Sequence, residues 1–161
     1  MMNSKEFVDS LIGSGITYGC GMRDEFLLPI IEEVEKNKSF KYVPVFSGKA
    51  AIAAASGLKI AGKGSCILLP NYNLWSVGGI ISTFNLIYCI PVLLIISWRG
   101  EPRINDGIEN SINGQLTTDI LDSLGIYYTF PTTTKRIKFA IDLMEEDNRC
   151  SAILVRRGEF S

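Results

Sequence analysis

The sequence predicts an α/β protein: an open, mostly parallel six-stranded sheet with helices on both faces. Short apolar runs alternate with helical patterns along all 161 residues. The runs at 16–20, 65–69, 91–97 and 151–155 carry no charged side chain, as strands covered on both sides require. No repeat, linker or low-complexity segment divides the chain. Residues 1–161 are therefore read as a single domain, long enough to bury a substantial core.

Taken in order, Asn3 or Ser4 caps a first helix through Ile12, with Phe7, Val8, Leu11 and Ile12 inward and Gly13 and Gly15 stopping it. Residues 16–20 form the first strand and 21–24 a loop, from which Asp24 caps a second helix to about Lys36. A short strand over 42–45 meets a sharp turn at Phe46-Ser47-Gly48. The next helix is so rich in Ala that it has little bulk on any face. Such a helix is normally buried on more than one side. Ala51, Ala53, Ala54, Ala55 and Gly57 leave room for another backbone to approach. The strand over 65–69 feeds a polar loop, Pro70-Asn71-Tyr72-Asn73, and a helix over 74–86. Behind the strand at 91–97 lies the longest irregular piece, 98–111, a length that marks a functional or mobile loop. A helix over 116–124, a strand over 126–129, a helix capped within 132–134 and ending near Glu146, and a strand over 151–155 complete the pattern.

Composition excludes several functions. With 16 basic and 17 acidic residues and no basic stripe, nucleic acid is not an expected partner. Apolar residues reach 47% against 20% charged, which fits either surface hidden in an assembly or a tight α/β core. The four cysteines show no CxxC pair or metal spacing, and three lie in or beside predicted strands as small hydrophobes. The chain has no histidine, which removes the usual general base and the commonest metal ligand. GxGxxG, GxxxxGK[ST] and GxSxG are all missing, and a Ser-His-Asp arrangement is impossible. Residues 64–98 carry no charge, yet Asn71, Asn73, Asn85 and Pro91 interrupt them; they read as a helix and a buried strand, not a membrane span. Without a secretory signal the expected setting is cytoplasmic and reducing.

Four segments in register resemble the pyrimidine-binding domain of thiamine-diphosphate-dependent decarboxylases, above all the phosphonopyruvate and sulfopyruvate decarboxylases. They are GITYGCGMRDEFLLPI (15–30), YVPVFSGKAAIAAASGLKIAGKG (42–64), IPVLLIISWRGEP (90–102) and GQLTTDILDSLGIYY (114–128). SWRGEP and the TxDxLDxLGI helix are the most specific of these. The resemblance implies a thiamine-diphosphate-binding fold that holds only the aminopyrimidine half of the cofactor. The diphosphate and its Mg2+ belong to a domain with a GDG…N motif, which this sequence lacks. The implied protein is an alpha-type subunit of a 2-oxo acid decarboxylase, active with a beta-type diphosphate-binding chain in a dimer of heterodimers or larger. Carbon–carbon ligation, or a catalytically silent scaffold, is the alternative.

The departures from the family concern the site itself. Where the family has Asn-Glu-Gly, with the glutamate hydrogen-bonded to a pyrimidine nitrogen, this chain has Phe46-Ser47-Gly48. Ser47 is thus the catalytic candidate, and Ser47, Gly48, Asn71, Tyr72, Asn73 and Gly21 are the cofactor-binding candidates. Arg23, Asp24 and Asn110 are candidates for substrate, and no metal ligand is expected in this chain. Of the family's QNSGLGN loop only Asn71 and Leu74 remain; the Gln-His pair past RGEP is replaced around Glu109-Asn110, and a proline by Arg23. Each residue also has a plainer reading. Ser47 serves as a helix cap, Asn71 and Asn73 as turn residues, Arg23 as a surface charge, and Arg99 with Glu101 as a solvated ion pair or a substrate gate. Asp24, Glu25 or Glu109 is a possible source of the missing carboxylate.

Overall fold

A computed structural model describes residues 1–160. Its six strands are β1 (Ile16–Gly21), β2 (Lys41–Pro44), β3 (Gly64–Pro70), β4 (Leu93–Ser97), β5 (Tyr127–Thr129) and β6 (Ser151–Val155). They form one sheet in the order β2-β1-β3-β4-β6-β5. Every pairing is parallel, so the expected "mostly parallel" sheet is wholly so.

Side-chain alternation explains how the helices divide. Cys66, Leu68, Leu93, Ile95, Ile153 and Val155 point to one face, where they pack with α1 (Ser4–Gly13), α2 (Leu28–Lys36) and α6 (Thr134–Asp147). Ile67, Leu69, Leu94, Ile96, Ala152 and Leu154 point to the other. There they meet α3 (Gly48–Ile60), α4 (Leu74–Ile80) and α5 (Ser111–Ser123). A large apolar side chain contributes roughly 1.5–3 kcal/mol when moved out of water. A one-residue slip would exchange the two faces of a strand at once, so register is strongly specified.

The boundaries differ from expectation in three places. Asp24 does not cap α2: its Oδ1 accepts from the Phe26 amide in a separate turn, and the helix begins at Leu28 with Pro29 in its first turn. Pro29 lacks an N–H, so that end has one fewer donor to satisfy. The helix expected over 74–86 leaves α-geometry after Ile80 and closes through a π turn over Ile81–Asn85. There buried Asn85 donates to the Ser56 hydroxyl and to the Ile90 carbonyl instead of continuing the helix. The helix expected from 116 begins at Ser111, shortening the irregular segment. Asn3 takes the first cap, accepting from the amides of Lys5 and Glu6.

Cys20, Cys66 and Cys150 are buried and free, and burial pushes each thiol up, which makes them poor nucleophiles. Cys89 is exposed on a left-handed turn at φ 53°.

Candidate functional site

In an all-parallel sheet every strand ends on the same edge, and ligands gather there. Gly21, the Ser47 turn, the Asn71 turn and Arg99 follow β1, β2, β3 and β4, so the sequence candidates converge on one rim.

The Ser47 turn is sparsely held. Ser47 is extended (φ −153°, ψ 152°) and caps α3, its Oγ accepting from the Ala50 amide at 3.2 Å. The hydroxyl proton of an oxygen used as an acceptor stays free to donate outward. Gly48 is buried, and its amide donates to Asn73 Oδ1 at 3.3 Å. A Cβ at Gly48 would come within 2.9 Å of that oxygen and of a Val77 methyl, so any side chain there would displace Asn73 or Val77. Phe46, just before, is fully exposed. Gly21 accepts from the Val45 amide and thereby ties the ends of β1 and β2 together.

The β3 turn is tightly held instead. Asn71, only 2% exposed, donates through Nδ2 to the Arg99 carbonyl and to Thr117 Oγ1, both at 2.8 Å. Asn71 Oδ1 and Asn73 Nδ2 are buried without a protein partner. Tyr72, between them, is exposed. Both asparagines thus make the turn and lock it.

Arg99 organises the next loop, and not with Glu101. Its guanidinium lies in a fork on Asp106, with Nε and Nη2 each at 2.9 Å, and packs over the Phe26 ring at 4.5 Å. Its Nη1 reaches Asp24 at 3.4 Å and Glu25 at 3.8 Å. Asp106 also accepts the amides of Gly100 and Gly107 at 2.9 Å. Hydrogen bonds from Arg99 and these amides hold its carboxyl well below the usual carboxylate range, and the Arg99 guanidinium is raised in turn. Glu101 pairs with Arg156 at 3.2 Å, and Arg156 lies over Phe130, itself stacked on Trp98. The expected Arg99–Glu101 pair is therefore replaced by two others.

The two most specific segments of the resemblance interlock. Trp98 donates to the Gly114 carbonyl at 2.8 Å, and a Cβ at Gly114 would land on the Gly100 carbonyl. Gly100 is left-handed (φ 68°) and abuts the Asn110 carbonyl. Asn110, half-buried, is the residue from which α5 starts. Arg23 is more than half exposed and bonded to Glu35 on α2, which matches its plainer reading as a surface charge. Asp24 is held by Arg99, Glu25 and Glu109 are exposed, and the side-chain bonds of the Ser47 turn run to Ala50 and Asn73 instead.

Beside this rim, α4 and α5 enclose an open apolar groove of about 450 Å³, lined by Leu74, Trp75, Gly78, Leu116, Ile120 and Leu124. Trp75, Ile108 and Ile112 are exposed nearby, at the starts of these two helices. The outward face of α3 shows Ala50, Ala53, Ala54 and Gly57. Among the described residues no group of acids and cysteines is placed to hold a metal ion, and no helix is long and apolar enough to cross a membrane.

Comparison with known proteins adds the following. Phosphonopyruvate decarboxylase of Streptomyces viridochromogenes is 27% identical over 141 residues, which are 87% of this chain and 36% of that protein. The Methanococcus maripaludis protein named sulfopyruvate decarboxylase subunit alpha is 28% identical over 148 residues, 88% of this chain and 87% of its own length. The chain resembles both groups of decarboxylases. It spans little more than a third of the phosphonopyruvate decarboxylases, that of Streptomyces hygroscopicus included at 37%, but most of the proteins named subunit alpha. No family model matches. Among solved structures, 2-oxoglutarate:ferredoxin oxidoreductase from Magnetococcus marinus superposes with a TM-score of 0.74 at 16% identity, covering 98% of this chain and 29% of that one; this likeness shows the fold alone.

Asp106 and Thr117 were not legible as site residues. Asp106-Gly107 reads as a turn, and a sequence with Arg99, Arg103 and two glycines nearby does not say which cation the carboxylate meets.

Proposed function

We propose that this chain is the alpha-type subunit of a two-chain, thiamine-diphosphate-dependent 2-oxo acid decarboxylase. It contributes the aminopyrimidine half of the cofactor site at its junction with a diphosphate-binding chain. The observation that carries this reading is the difference in coverage. The chain covers 87% and 88% of two proteins named subunit alpha, yet only about a third of the phosphonopyruvate decarboxylases. In this reading a second polypeptide supplies the diphosphate-binding half and the Mg2+ ligands. Exposed Phe46, Trp75 and Ile112, the α4–α5 groove and the small-residue face of α3 support a covered surface.

The donor set fits the group in part. A pyrimidine nitrogen is an acceptor, and the free Ser47 hydroxyl proton is a donor at the positive end of α3. When bound, thiamine diphosphate supplies the electron sink that loss of carbon dioxide requires. Ser47 orients the ring through this hydrogen bond, Gly48 keeps the backbone close, and Asn73 fixes the turn. Gly21, Asn71 and Tyr72 shape the wall of the cleft, with Asp24 and Asn110 at its mouth. A hydroxyl does not carry a proton as the glutamate does, because its acidity lies far from neutral pH. That substitution favours a second reading, a scaffold subunit that binds the partner and performs no catalysis.

Co-expression with the diphosphate-binding chain of the same genome tests the proposal. The expected result is a stable complex whose melting temperature rises with thiamine diphosphate and Mg2+. A complex that forms without any such rise would remove the cofactor from the account. Ser47→Glu separates the two readings: a large gain in cofactor C2-proton exchange means an intact geometry lacking only its acid, and no change means a scaffold.

A further inference from the structure

The carboxylate of Asp106 has no bonding capacity left over. Its Oδ1 takes Arg99 Nη2 and the Gly107 amide; its Oδ2 takes Arg99 Nε and the Gly100 amide, all at 2.9 Å. The side chain is only 7% exposed, so these charge-assisted bonds are shielded from water. They fix the backbone of residue 99 as well as its side chain. The Arg99 carbonyl then receives Asn71 Nδ2, whose other proton is taken by Thr117 Oγ1. Asn71 opens the single 3-10 turn that ends at Asn73, and Asn73 Oδ1 holds the Gly48 amide next to Ser47. An unbroken series of hydrogen bonds and one short 3-10 turn thus joins the loop after β4 to the turn after β2. The same guanidinium reaches Asp24 after β1.

From this geometry we infer that Asp106 is a positioning residue for the Ser47 turn, setting through Arg99, Asn71 and Asn73 where Ser47 and Gly48 stand. Its consequence for cofactor binding rests on the function proposed above; its consequence for the turn does not. Asp106 touches no reacting group and acts only through its neighbours. Contiguity alone does not demonstrate coupling, and a perturbation at one end must be read at the other.

Amide hydrogen exchange by NMR on the full chain reads it directly. In Asp106→Asn one carboxylate oxygen becomes an NH2 group, so one of the two amides, Gly100 or Gly107, loses its acceptor. The inference requires Gly48 to exchange faster as well, by about tenfold, the equivalent of one net hydrogen bond. Arg99→Lys, which keeps the charge but lacks the fork, gives the same pattern more weakly and serves where Asp106→Asn does not fold. Faster exchange at Gly100 or Gly107 with Gly48 unchanged would show a latch local to its loop and overturn the inference. In the two-chain complex, Asp106→Asn should weaken thiamine diphosphate binding several-fold, with unchanged affinity counting against the inference. If the wild-type complex takes no thiamine diphosphate, the proposed function falls and the exchange data alone decide on Asp106.

Discussion

Two neighbouring parts of the strand-end rim are built to opposite standards. On the β4 side, residues 98–107 are determined several times over: a saturated carboxylate at Asp106, the Trp98 bond to Gly114, the Gly100–Gly114 contact and Asn71 on the Arg99 carbonyl. On the β2 side, the turn at Ser47 has one cap bond and one long bond to Asn73, with a fully exposed Phe46. Among the described residues nothing covers Phe46 beside that hydroxyl. The closed side is a foundation, and under the proposed function the open side is the part that a partner completes.

Substitutions should respect that difference. The largest effect is expected at Gly114→Ala, where the added methyl meets the Gly100 carbonyl. Urea unfolding should show a loss of about 3 kcal/mol or failure to fold. Asp106→Asn should destabilise by about 2 kcal/mol, as the charge-assisted bonds weaken. Because the folded-state pKa of Asp106 lies below its unfolded value, this contribution is present above the unfolded pKa and is lost as pH falls through the folded one. The gap between wild type and Asp106→Asn should therefore hold from neutral pH down to about 4, the ordinary aspartate value, and close only in stronger acid. Ser47→Ala, on the open side, removes only the cap and should lower stability by about 1 kcal/mol. Smallest of all, Phe46→Ser should leave the isolated chain within about 0.5 kcal/mol of wild type, while weakening the two-chain complex in sedimentation. A Phe46→Ser chain that unfolds early, or a complex indifferent to it, would erase the contrast between the two sides.

The same contrast decides what was legible in the sequence. Alternation in the apolar strands and the caps at Asn3, Ser47 and the Thr133 region are local patterns, and they gave the elements nearly in place. The Ser47 turn was legible too, because strand, cap and glycine are adjacent in sequence. The Asp106 latch was not: its partners include backbone amides and one of two arginines close by, and choosing among them needs the folded loop. The early start of α5 failed for the same reason. Ser111, Ile112 and Asn113 have no strong helical preference, and the turn is held by the Trp75 indole on Asn113 and by Gly100 packing against Gly114. Tertiary contact decided there against local propensity.

Calorimetric titration of thiamine diphosphate with Mg2+ tests the central claim most directly, run on this chain alone and on its complex with the diphosphate-binding chain. Saturable binding in the complex and none to the single chain is the predicted result. Equal binding to the single chain, or none to either, would contradict the account of a half-site.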